Sequence, residues 1–429
     1  MTVQHTSPLS SRRSFLGLAA GLGVSVSFMG RQAFAASEGD LAKRKMVVVI
    51  CRGGMDGLSV APPVGDPAYA GLRGAIAMKP EDTLKLDGTF SLHPELSSVH
   101  KLALKGQARI APAIASPDRA RSHFEAQDVL ETGEAHVYGS DTGWLNRTLE
   151  ALPPARKVEG LSVGTTAPLI LRGKVQAASW SPGKGVDETA RLPTLLQDLY
   201  RNDPLMGPAF ARGLETETMA QAAMTAMAPT PAQTAMAAAT PPTGEMASMS
   251  PTMANDRNGR QGREAAKKLG STLAGFMNQA DGPQIAAISL DGFDTHAGQQ
   301  GQIATRLSYL DAVLDGLNTG LGDQWKNTVV VVVTEFGRTA KVNGTGGTDH
   351  GTGSTALVLG GGLKVGGIIG DWPTLSQQAL FENRDLAPTL DMRGLFKGVL
   401  ADHMGVDRAV LESKVFPDSA GAKAVTGLV

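Results

Sequence analysis

A single cysteine, Cys51, stands in the 429 residues, which excludes an intrachain disulfide and leaves the fold to rest on its core. Cys51 ends an apolar run and is expected to be a small buried hydrophobe rather than a reactive thiol. No charge sign dominates: 40 Lys and Arg against 41 Asp and Glu leave a formal net charge of −1. That balance gives no footing for nucleic acid or an anionic membrane as a partner. Beyond the N-terminal segment no apolar stretch reaches the ~20 residues that a membrane-spanning helix needs. A spaced-glycine nucleotide fingerprint is also missing: Gly360-Gly361-Gly362 follows a strand-like run but lacks the required spacing.

What is present begins at the N-terminus. Arg12-Arg13 lie between Ser11 and Ser14-Phe15-Leu16, followed by a short apolar run to about Met29 and then Ala33-Phe34-Ala35-Ala36. A charged start, a short apolar stretch and small residues at a cleavage site make a secretory signal, and the paired arginines make it the twin-arginine kind. Residues 1–35 are therefore expected to be a signal peptide read by the twin-arginine export machinery, cleaved near Ala35, with an uncleaved membrane anchor as the alternative. The remainder, 36–429, is expected to act in the periplasm or outside the cell. That route carries folded proteins, so a cofactor would be loaded before export.

The remainder alternates strand and helix patterns. Met46–Cys51 is continuously apolar, as in a strand of a parallel sheet buried on both faces. Residues 108–114, 284–290, 328–334 and 355–359 are further strand candidates. Residues 263–277, 303–321 and 386–400 carry helical periodicity. This alternation predicts an α/β fold with a doubly wound, mostly parallel sheet flanked by helices in one domain, with ligands at the carboxyl ends of the strands. One stretch, about 215–262, breaks the pattern. It is rich in Ala, Met, Pro and Thr, holds seven of the sixteen methionines and has almost no large aliphatic residues, so a mobile, loosely structured insertion is expected. Thioether copper binding is the alternative there, but no His or Cys accompanies the methionines.

Acidic and histidine residues gather just after the predicted strands. Asp56 lies in the Gly-rich turn Arg52-Gly53-Gly54-Met55-Asp56-Gly57, where turn chemistry is the plainer role. Asp291-Gly292-Phe293-Asp294-Thr295-His296 offers two carboxylates and an imidazole, a set that suits Zn or Mn, with a helix N-cap as the alternative. Glu335 and Arg338 follow the strongest strand and suit either a site or a buried ion pair. Asp349-His350 is bracketed by glycines, as where backbone packs closely on a site. Ser122 opens the helix-like run 122–128; it serves as a cap and, facing a metal, could be ionised and attack.

In this order the clusters resemble the alkaline phosphatase and sulfatase superfamily. More closely, the chain resembles the secreted family DUF1501, through Arg52–Leu58, Ser122–Asp128, Gly143–Arg147, Asp291–His296, Thr334–Thr339 and Gly347–Gly351. The resemblance implies an alkaline phosphatase-like fold and a hydrolase of small anionic phosphate or sulfate esters using one or two divalent metal ions, Zn or Mn. It implies Asp56 and Glu335 at one metal, with Ser122 as nucleophile. At the other it implies Asp291 or Asp294, His296 and His350; Asp349 is a further candidate metal ligand. Arg338 or Arg121 would bind the anion. The chain departs from the phosphatase pattern where Glu335-Phe336 replaces Asp-His and in the spacing before His296. These departures put the second metal in question and keep open a rival function, a non-catalytic secreted binding or assembly protein on the same scaffold.

Overall fold

The computed structural model describes residues 38–153, 160–164, 167–180, 200, 203, 206–226 and 251–429. The expected signal peptide, and residues 227–250 of the expected insertion, lie outside the described residues. The flanks of that insertion are helical: α4 (Met206–Ala226) and α5 (Pro251–Asn278) run into it from either side.

Eight strands form one sheet in the order β10-β4-β9-β8-β1-β7-β5-β6. Their ranges are β1 Lys45–Cys51, β4 Ala108–Ala115, β5 Gly160–Val163, β6 Ala177–Trp180, β7 Ile285–Leu290, β8 Thr328–Val333, β9 Ser354–Leu359 and β10 Leu390–Asp391. A separate two-stranded hairpin pairs β2 (Leu84–Lys85) with β3 (Ser91–Leu92). All neighbours in the large sheet are parallel except for β9, which runs antiparallel to both β4 and β8. The doubly wound, mostly parallel α/β architecture is thus the one the strand–helix alternation predicts.

Strand β1 shows why its sequence is apolar throughout. Val47, Val49 and Cys51 join the core on one face, while Met46, Val48 and Ile50 join the core on the other. A strand alternates its side chains between faces, so burial on both sides demands an unbroken apolar run. The first core packs against α5 and α6 (Gln299–Leu321). These helices approach so closely that a Cβ on Gly316 would stand 2.0 Å from the Lys267 carbonyl oxygen, so only glycine fits. The second core includes Trp144 of α3 (Trp144–Ala151), stacked on Phe396 of α7 (Met392–Asp402) at 4.5 Å. Helix α7 starts six residues later than the 386–400 periodicity predicts. Pro388 intervenes, and Asp391 caps the helix by accepting from the Arg393 N–H. Cys51 is fully buried and its thiol pKa is raised by burial and by Glu335, as befits an inert core residue.

Burial also sets an acid limit on the fold. His403 is almost fully buried; its Nε2–H donates to the Lys45 carbonyl at 2.9 Å, and its Nδ1 has no partner. Burial pushes the pKa of His403, and likewise of His93, down to about 4. Both are neutral when folded and would protonate near 6.5 when unfolded. Their contribution is therefore complete above pH 6.5 and is lost as pH falls towards 4, by on the order of 3 kcal/mol each. Urea unfolding across pH 7 to 4 should show this fall, and His403→Gln should remove about half of it. A flat profile in the wild type would contradict the assignment.

Candidate metal centre

The carboxyl ends of β8, β1 and β7 lie side by side, and the loops leaving them are Thr334–Arg338, Arg52–Asp56 and Asp291–His296. Because β9 is antiparallel, its start, just after Asp349-His350, comes to the same edge. So does the end of β4, which leads into α2 (His123–Thr132). Five distant segments therefore meet at one edge of the sheet.

At their meeting point stand His123, Asp294 and His350, with one ligand atom from each within 4.8 Å of the others. His296 adjoins them. Its Nε2 lies 3.0 Å from Asp294 Oδ1 and 3.1 Å from His350 Nε2, and His350 Nε2 lies 3.2 Å from the same Oδ1. His123 Nε2 is 3.6 Å from Asp294 Oδ2, beyond hydrogen-bond distance, and is buried without a partner.

The opposite nitrogen of each ring is held. His123 Nδ1–H donates to Glu335 Oε1 at 2.9 Å. His350 Nδ1–H donates to the Arg121 carbonyl at 2.9 Å, which can only accept. His296 Nδ1 faces Asp349 Oδ1 at 3.4 Å. Glu335 is itself fixed by the Gly53 N–H at 2.8 Å and by Gln127 Nε2 at 3.2 Å. Asp349 accepts from Asn343 Nδ2 at 3.2 Å.

Electrostatics keep this arrangement acceptor-rich. Burial lowers the pKa of His350, so its ring is neutral with the Nε2 lone pair free. Burial would raise the pKa of Asp294, but the Arg338 charge and hydrogen bond, with His296 and His350, hold it below the usual carboxylate value. Glu335 is likewise pushed up by burial, yet is brought down by His123 and the Gly53 N–H. Asp349 is lowered chiefly by Asn343. The hydrogen bond to Glu335 raises the pKa of His123, with burial opposing.

The Nε2 atoms of His296 and His350 stand 3.1 Å apart beside the Asp294 carboxylate, with Arg338 donating to Asp294 Oδ1 and lying 3.5 Å from His296 Nε2. Such a set repels itself unless a proton or cation lies among its members. Tetrahedral ligands at Zn distances stand roughly 3.3–3.4 Å apart. His296 Nε2, His350 Nε2 and Asp294 Oδ1 stand 3.0–3.2 Å apart, close to that spacing, while the ligand atoms of His123, Asp294 and His350 lie within 4.8 Å of one another. Imidazoles fixed through their other nitrogen by carboxylate or carbonyl are the ordinary outer support of metal-binding histidines. The residues present therefore fit a divalent ion.

Several expected site residues stand elsewhere. Asp56 is not brought to the histidines: fully buried, its Oδ2 accepts from Ser59, from Gln299 at 2.5 Å and from Arg73, whose side chain is also fully buried. Asp291 is exposed and apart from the group. Gly292, at φ +95, turns the chain there, and Asp294 takes the inner place. Glu335 and Asp349 approach the histidines from behind, at the Nδ1 side. Arg338 is no free anion clamp. Its Nε donates to the Gly54 carbonyl, its Nη1 to the Thr348 carbonyl, and its Nη2 to the carbonyls of Gly53 and Phe293 and to Asp294. Arg121, at φ +58, pairs with Glu382 and with buried Asp385. Ser122 is the N-cap of α2, half-buried, with no capping hydrogen bond from its side chain.

His123 is the functional candidate that sequence reasoning missed. It directly follows Ser122 and was overshadowed by it. A histidine three residues before an interior helix position carries no periodic signal of its own. Gln299 was missed too, although it links the two histidine loops. Its Oε1 accepts from Thr295 at 2.9 Å and from Thr348 at 2.5 Å, while its Nε2 donates to Asp56.

Residues 43–415 match the family model described as "Protein of unknown function (DUF1501)". None of the curated proteins compared matches the chain. Among solved structures, the C-terminal periplasmic domain of EcEptC from Escherichia coli, in complex with Zn, is similar at 11% identity and a TM-score of 0.36, over 86% of this chain and 87% of that one. Ps i-CgsB is similar at 11% identity and 0.35, over 89% and 77%. A 2-O GAG sulfatase is similar at 11% and 0.31, over 85% and 71%.

Proposed function

The chain belongs to the DUF1501 family, and we propose that it is an exported, metal-dependent hydrolase of phosphate or sulfate esters. One observation carries the metal: the Nε2 atoms of His296 and His350 face each other at 3.1 Å beside the Asp294 carboxylate, a ligand set that suits a divalent cation. We assign His123, Asp294, His296 and His350 as its ligands and Zn or Mn as the ion. One ion is proposed rather than two, because Asp56 is neutralised by Arg73 and Glu335 is engaged by His123. A divalent ion supplies a Lewis acid that polarises the ester and lowers the pKa of an attacking hydroxyl.

The chain's own groups do the rest. Glu335 and Asp349 orient the rings of His123 and His296. Arg338 holds the Asp294 carboxylate ionised and ties it to the Gly53 and Gly54 carbonyls. Ser122, immediately before His123, is the proposed nucleophile, since its hydroxyl is not used in capping α2. The unpaired N–H groups at that helix start favour an anionic group beside it. The twin-arginine signal proposed for residues 1–35 fits a site that only a completed fold assembles. Among the described residues no helix is long and apolar enough to cross a membrane.

Ser122→Ala is expected to lower turnover of 4-nitrophenyl phosphate or 4-nitrophenyl sulfate by at least about 10³-fold while metal content stays the same. Unchanged turnover would exclude the covalent route. A non-catalytic secreted binding protein is the second reading, favoured by the commitment of both Arg121 and Arg338 to internal partners. Retained metal with no turnover of any phosphate, sulfate or phosphonate ester in a broad panel would establish it.

A further inference from the structure

A groove of about 710 Å³ is lined by residues of α5 and α6. Its charged lining is Arg260 and Arg263 of α5, Arg306 of α6 and Glu95. Glu95 is engaged by Arg263 at 3.3 Å, and Arg263 also donates to Ser308 at 2.6 Å. Arg260 is exposed and has no partner among the described residues. Arg306 is exposed and uses only its Nε, which donates to the Gly292 carbonyl at 3.3 Å. The groove therefore holds two guanidinium groups with unused donors, and its one carboxylate is already paired. Hydroxyls of Thr305, Ser308 and Tyr309 line it as well.

The groove is tied to the metal centre by Gly292. A Cβ there would stand 2.5 Å from Arg306 Nε, so the arginine lies directly on the loop backbone. Gly292 is two residues before Asp294, a span of at most about 7 Å of chain. An arginine fork matches the oxygens of phosphate or sulfate with paired hydrogen bonds.

We propose that this groove binds a second tetrahedral oxyanion of the substrate, so that the molecule carries one phosphate or sulfate ester at the histidines and another group of that class on Arg260 and Arg306. This substrate class rests on the ester-hydrolase function proposed above. The anion site itself does not, and it can be measured without metal or turnover.

The test is calorimetric titration of the metal-free, full mature protein with inorganic phosphate and, separately, inorganic sulfate, at pH 8 and low salt. The wild type should bind at least one of the two, less tightly as salt is raised, and the tighter anion identifies the ester class. Arg260→Gln/Arg306→Gln should weaken binding by on the order of tenfold or more with an unchanged melting temperature, since both side chains are exposed. His350→Ala should leave anion binding as in the wild type. Equal affinity in the double arginine variant, no binding by the wild type, or loss of binding in His350→Ala would each overturn the proposal. Failure of the hydrolase function would appear instead as a metal-loaded wild type that turns over no ester, whatever the anion titration gives.

Discussion

His350→Ala is expected to weaken zinc binding by well beyond the roughly 10–100-fold that loss of an outer hydrogen-bond partner costs, because a ligand itself is removed. The metal-free protein should not be destabilised in proportion. His350 is half-buried, and its Nε2 faces His296 Nε2 at 3.1 Å and Asp294 at 3.2 Å, contacts that repel when no cation is present. Removing the ring relieves that repulsion, against the loss of its packing on Phe336 and His123 at 4.7 and 4.5 Å. The measurable consequence is linkage. Zinc at about 1,000 times its dissociation constant should stabilise the wild type by roughly 4 kcal/mol, and the variant by little or nothing at the same concentration. Thermal unfolding with and without zinc reads this directly. An equal zinc-induced shift in both proteins would remove His350 from the ligand set.

Asp56→Ala should have the largest effect on folding. The Asp56–Arg73 pair has both side chains fully buried, so truncating the carboxylate leaves a guanidinium in the core with no counter-charge. Breaking such a pair costs about 3–5 kcal/mol, whereas replacing both partners with apolar residues is often nearly neutral. Asp56→Leu/Arg73→Met should therefore recover most of the stability lost by either single change. Because Gln299 bridges Asp56 to Thr295 and Thr348, the single variant should also loosen the loops that carry His296 and His350. Its zinc affinity should fall by less than that of His350→Ala. Urea denaturation and zinc titration together decide the matter. A variant of wild-type stability that has lost its zinc would make Asp56 a ligand after all.

These two residues mark where the sequence was legible and where it was not. Placing reactive groups after apolar strands picks out Asp294, His296 and His350, which the fold brings together, because a parallel sheet buried on both faces has few polar positions except where its strands end. The same logic sets Asp56 with Glu335 at another ion, whereas in the fold Asp56 accepts from Arg73, Ser59 and Gln299. Asp56 is drawn inward by Arg73, seventeen residues on, and no local pattern announces that pairing. Asp291 and Asp294 cannot be separated by spacing alone; the fold sets Asp294 beside His296 and His350 and leaves Asp291 exposed. Arg338 reads as an anion binder in one dimension, yet in three it is engaged by carbonyls from several loops. His123 was hidden for the opposite reason. Its role depends on Glu335, more than two hundred residues away. Strands β5 and β6 went unrecognised because four residues carry too little alternation to stand out.

The central claim is that one divalent ion sits among His123, Asp294, His296 and His350. Elemental analysis of mature protein purified without added metal, followed by zinc titration after chelator treatment, tests it most directly. About one equivalent of Zn or Mn per chain is expected, removable by chelator and restored by added zinc. Protein that carries no metal and takes up none on titration would contradict it.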